Sequence, residues 1–119
     1  MGLPTLNGAG QVKMATLEEC NTLVSRLHST VERLGLAVKN NQNTGVFYGQ
    51  IRRILEELIG KLKAQFGMVA DQATAVNLAS SRGGADAVKL RGLREGVAQL
   101  KQALEIAERK VKEQHTVTE

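Results

Sequence analysis

Apolar residues recur along this chain at helical spacing in three long runs. Leu17, Cys20, Val24, Leu27, Val31, Leu34 and Val38 advance by alternating steps of three and four, the a/d pattern of a heptad seam. A second line, Ile51, Leu55, Leu58, Leu62, Phe66, Val69, Ala73 and Val76, has an average step nearer to the period of a straight helix, with Ile54 and Ile59 widening the stripe. A third, Leu90, Leu93, Val97, Leu100, Leu104, Ala107 and Val111, repeats the heptad spacing of the first. Between the runs stand Asn40-Asn41-Gln42-Asn43-Thr44-Gly45 and Arg82-Gly83-Gly84, both breakers. Thr16-Leu17-Glu18-Glu19 has the form of a capping box, which would start the first helix at Thr16.

The pattern therefore predicts helices over about residues 16–39, 46–81 and 85–113 in a single helical domain, 16–115, with a flexible arm at 1–15 and a frayed tail at 116–119. Short connections make consecutive helices antiparallel, so the expected fold is all-α, an up-down-up three-helix bundle with long coiled-coil-like helices. At 1.5 Å per residue the helices would be roughly 36, 54 and 43 Å long. The first would then cover only part of the second, leaving apolar surface that a second chain could complete. Arg52/Glu56, Arg53/Glu57, Glu57/Lys61, Glu105/Arg109 and Glu108/Lys112 sit at i,i+4 spacing and are expected to pair along the outer faces.

Composition supports the helical reading. The chain has 119 residues, 42% of them apolar but only 3% aromatic, and its single Pro stands at position 4. With Phe47, Tyr48 and Phe66 as the whole aromatic set, a β-sandwich or barrel would lack its usual packing residues. No run approaches the ~20 apolar residues of a membrane span. The start MGLPTLNGAGQVK has neither the charged opening nor the apolar run of a secretory signal, and Leu6 stands where an acylation signal needs Ser or Thr. A lone cysteine cannot staple the fold, so a reducing, intracellular compartment is expected, cytoplasmic by default and with the nucleus not excluded.

The chemistry-bearing residues do not converge. His28 and His115 fall on different helices without a companion at ligand or triad spacing, so neither a catalytic nor a metal or cofactor site is expected. His28 should flank the first seam at its solvent edge. Cys20 holds a seam position, where a thiol acts as a small apolar side chain. Glu56 and Glu57 diverge by about 100° around a helix and cannot act on one bond. Gly83-Gly84 precedes a helix but lacks the Lys-Ser/Thr of a phosphate loop. No motif assigns the chain to a family.

Two surface features remain. Arg82, Lys89, Arg91 and Arg94 cluster around the second turn, a candidate anion or partner patch. In the three-helix form this end would also receive Glu18 and Glu19, cancelling part of the field. Net charge is a mild +4, and no aromatic side chain accompanies the patch to stack on bases. Residues 67–81, GMVADQATAVNLASS, carry one charge over four helical turns, a composition that fits a helix covered on all sides. Met68, Ala75, Leu78 and Ala79, with the small residues Gly92 and Gly96, are therefore the candidate interface for a partner or a second copy. The functional expectation is a non-enzymatic helical interaction or scaffold subunit of a homo-oligomeric or larger assembly. The alternatives are an accessory nucleic-acid-binding protein using the basic turn, and a small chaperone-like binder of an acidic protein.

Overall fold

The computed structural model describes residues 5–117. Four helices follow one another: α1 (Gly8–Lys39), α2 (Gly45–Leu62), α3 (Gly67–Ser81) and α4 (Asp86–His115). Two short strands, β1 (Thr5–Leu6) and β2 (Thr116–Val117), pair antiparallel and tie the two ends of the described chain together.

The three-helix expectation is corrected to four, because the long second segment folds back at residues 63–66 instead of running straight through. Phe66 takes φ −133° and ψ 57°, outside helical values, and Gly67 begins the next helix. The physical gain is coverage. As one straight helix, residues 67–81 would run beside only the first turns of α1 and then past its start at Gly8. Folded back, they place Val69, Ala70, Ala73 and Val76 in the same core as α2 and α4.

Contacts fix the helix directions. Gly10 lies against His115 and Gly35 against Arg94, so α1 and α4 are antiparallel over their whole length. Lys61, near the end of α2, reaches Glu19 near the start of α1, and Tyr48, near the start of α2, reaches Asp86 at the start of α4. Val76 of α3 sits on Gly96 of α4. Each helix packs on its neighbours in sequence and α4 packs on α1, closing an up-down-up-down ring. Beyond the α2–α3 turn, the start of α1 and the end of α4 continue as a two-helix stem. The molecule is accordingly long and thin, 60 × 22 × 18 Å.

All three apolar lines point inward. The seam from Leu17 to Leu34 is buried with Val38 partly so, the α4 seam is buried throughout, and the middle line continues inward on both sides of the new turn. Leu23, Ile54 and Ala37 add to it. The α1–α2 loop is a Schellman ending: Gln42 N donates to Ala37 O at 2.8 Å and Asn41 N to Val38 O at 3.3 Å. Asn41, at φ 53°, takes the left-handed position there, while Gly84, at φ 135°, does so between α3 and α4.

The arm is shorter than expected. Helix α1 begins at Gly8, where the Asn7 side chain accepts from Gly10 N at 2.8 Å, and Thr16 is mid-helix with its hydroxyl donating to Val12 O. The expected capping box at Thr16 is thus not formed. What holds these first turns is α4: Asn7 N donates to His115 O at 2.8 Å, and Lys13 Nζ stands 3.1 Å from His115 Nε2. The strand pairing likewise orders Thr116 and Val117, expected to fray; the rest of the expected tail and residues 1–4 of the arm lie outside the described residues. Among the described residues no helix is long and apolar enough to cross a membrane.

Candidate functional site

The residues singled out in the sequence sort into an inward and an outward set. On α3, Val69, Ala70, Ala73, Val76 and Ser80 are buried, whereas Met68 is 84% exposed and Leu78 56%, with Ala75 and Ala79 exposed beside them. The helix is therefore apolar on two faces but covered on one. Gly96 leaves the candidate interface: a Cβ there would stand 2.6 Å from Val76 Cγ2, so its smallness serves the approach of α3 to α4 within the chain. Gly92 is half-buried and meets nothing within 4 Å, so its smallness serves no close helix contact in this chain.

The exposed face of α3 runs into a groove of about 530 Å³ between the start of α3 and the second half of α4. Phe66, Met68, Val69, Ala103, Ile106, Ala107 and Val111 supply its apolar lining, and Lys13, Asp71 and Lys110 stand among its polar groups. Ile106 is 41% exposed on the α4 side. The sequence reading missed Ile106 because it lies off the α4 seam, where it looks like a lone surface apolar residue. Its partner across the groove is Met68, brought opposite only by the turn at residues 63–66.

The basic patch is divided. Arg94 Nε lies 3.5 Å from Glu32 Oε1 on α1. Lys89 Nζ sits 5.0 Å from the centre of the Tyr48 ring, a cation–π contact. Arg82 ends α3 in extended backbone and, like Arg91, is exposed. The expectation that Glu18 and Glu19 neutralise this end is corrected: the extra reversal of the chain puts them at the opposite end, where Glu19 Oε2 accepts from Lys61 Nζ at 2.8 Å and raises that ammonium's pKa. The expected i,i+4 pairs are corrected too, since among the described residues the ion pairs are Lys61–Glu19 and Arg94–Glu32, both between helices.

A cluster that the sequence reading did not assemble sits at the same end. Tyr48 Oη donates to Asp86 Oδ1 at 2.8 Å, with Lys89 over the ring. Burial, then the hydrogen bond to Asp86 and its negative charge, push the phenol up to about 12, so it stays a donor rather than a base. The trio fastens the start of α2 to the start of α4. Cys20 is fully buried, and desolvation pushes its thiol up to about 11, Lys61 opposing slightly and Glu19 adding to it. A thiol so placed is protonated at neutral pH and packs as an apolar group. His28 is exposed, and no group of three or more His, Cys, Asp or Glu among the described residues could hold a metal ion.

The fold thus defines an antiparallel four-helix bundle with an apolar groove between α3 and α4. Comparison with known protein families, with curated proteins and with solved structures finds no match to this chain.

Proposed function

We propose that this chain is a non-enzymatic interaction subunit that docks another helix, from a second copy or from a larger assembly, into the groove between α3 and α4. The observation that carries the reading is the outward apolar face of α3, with Met68 and Leu78 largely exposed and Met68 on the lip of the groove. A helix laid there would cover the face with the i, i+3, i+4 anchors that helix-in-groove binding uses. Methionine suits such a lip, because its flexible thioether adapts to a partner's shape. A chaperone-like role toward an acidic partner is a narrower form of the same reading, with Lys110 at the groove available to its carboxylates. The nucleic-acid alternative has less to stand on, since Lys89 and Arg94 are occupied by Tyr48 and Glu32.

Light scattering and affinity capture test the proposal together. The native chain is expected either to exceed its monomer mass of 12.9 kDa at high concentration or to co-purify with a partner. Met68→Glu and Leu78→Glu should abolish either behaviour while the helical circular dichroism is unchanged, as both side chains are exposed. A native chain that stays monomeric and captures nothing that these variants lose sinks the reading.

A further inference from the structure

On the far side of the bundle from α3, a second groove of about 540 Å³ runs between α1 and α2, and its lining is polar and cationic. Arg26 and Arg33 of α1 and Arg53 of α2 converge on it with Ser25, Ser29 and Gln50, and no carboxylate lines it. None of the three arginines takes part in the ion pairs found among the described residues. Guanidinium groups gathered without a counter-charge repel one another, and an anion placed between them relieves that repulsion. The hydroxyls of Ser25 and Ser29 also stand outside the hydrogen bonds seen among the described residues, unlike those of Thr22 and Thr30, which donate to the carbonyls of Glu18 and Arg26.

We propose that this groove binds a small ligand carrying several phosphate groups. Arginine presents a planar fork that matches phosphate oxygens two at a time, and serine hydroxyls and a glutamine amide complete such a cradle. Arg26 and Arg33 are seven residues apart on one helix, about 10 Å along its axis, and Arg53 faces them from α2, so a chain or ring of phosphates can engage all three at once. The volume lies in the range of small-molecule sites, which run from about 300 to 1,000 Å³. The aromatic side chains lie elsewhere, on Phe47, Tyr48 and Phe66, so the groove offers no stacking surface for a nucleobase. Recognition falls on the phosphates alone, which favours a compact polyphosphate over a nucleotide or a single-stranded nucleic acid.

Calorimetric titration of the full chain at low salt with inorganic tripolyphosphate, monophosphate and a single-stranded oligonucleotide tests the assignment. Tripolyphosphate is expected to bind at one site per chain and at least tenfold more tightly than monophosphate. Arg33→Gln together with Arg53→Gln should weaken it tenfold or more, whereas Arg91→Gln, outside the groove, should leave it within about twofold. The substituted side chains are exposed, and an unchanged thermal midpoint confirms that the fold is intact. Absence of tripolyphosphate binding overturns the proposal. So does equal weakening by Arg91→Gln, which means diffuse attraction to a basic chain, and so does tighter binding of the oligonucleotide.

Discussion

At the scale of single residues, glycine separates two kinds of position in this chain. A methyl group added at Gly96 meets Val76 Cγ2 at 2.6 Å and Cγ1 at 3.1 Å, and the branched valine has little rotamer freedom to move aside. Gly92, one turn earlier in the same helix, meets nothing within 4 Å. Gly92→Ala should therefore stabilise the chain by about 0.5–1 kcal/mol, the helix-propensity gain. Gly96→Ala collects the same gain but adds overpacking of about 1–3 kcal/mol, for a net loss. Chemical denaturation of the two variants decides it, and Val76→Ala should rescue Gly96→Ala in the double variant. Both glycines look identical in the sequence, spaced four apart on one helix. Only the position of α3 distinguishes them.

At the scale of elements, the apolar lines were legible and the turn at residues 63–66 was not. Lys63-Ala64-Gln65 are good helix formers, and the spacing of Leu58, Leu62, Phe66 and Val69 continues unbroken across the bend. A straight helix and a hairpin bury the same face, so periodicity alone does not tell them apart. The available signals were Gly67, a poor helix former placed at the first position of α3, and the drop in charge that follows Gln65. Spin labels at Gln50 and Ala79, both exposed, measure the difference directly. One continuous helix puts them about 43 Å apart. Antiparallel α2 and α3, with axes about 8–10 Å apart, bring them to the same level of the bundle, and an expected label separation of roughly 20 Å follows. A distance near the longer value would return the chain to three helices. The start of α1 was missed for a related reason: Gly8-Ala9-Gly10 is a weak helix sequence, and its order comes from the last turns of α4.

At the scale of the whole molecule, two weak acids sit where ionisation works against folding. Cys20 is raised from 9.0 to about 11 and Tyr48 from 10.0 to about 12, the first mainly by burial and the second by burial and Asp86. In both cases the folded chain holds the proton more tightly than the unfolded one. The associated stability is therefore complete below the unfolded values and falls as pH rises through the folded ones. Unfolding free energy should decline from about pH 9 upward, before general lysine deprotonation is complete. Cys20→Ala should flatten the slope between pH 9 and 11 even though it lowers stability overall by leaving a small void. Urea titrations across that range check the sign, and a stability that rises there would contradict it. The elongated form, with a radius of gyration of 16.6 Å, gives much of the surface to helix faces. That is why one chain carries an apolar groove and a cationic groove on different helix pairs.

The helical class, the inward-facing residues and the positions of the two glycine- and asparagine-rich loops were legible in the order of the amino acids. These follow from local propensity and from a periodicity written in consecutive residues. The number of helices, the neighbours of each charge and both grooves depend instead on how distant segments pack. Lys61 meets Glu19 and Arg94 meets Glu32 because one additional reversal exchanges the ends at which these residues arrive. The free energy of that reversal comes from burying α3 against helices distant in the chain, and no local pattern at residues 63–66 records it.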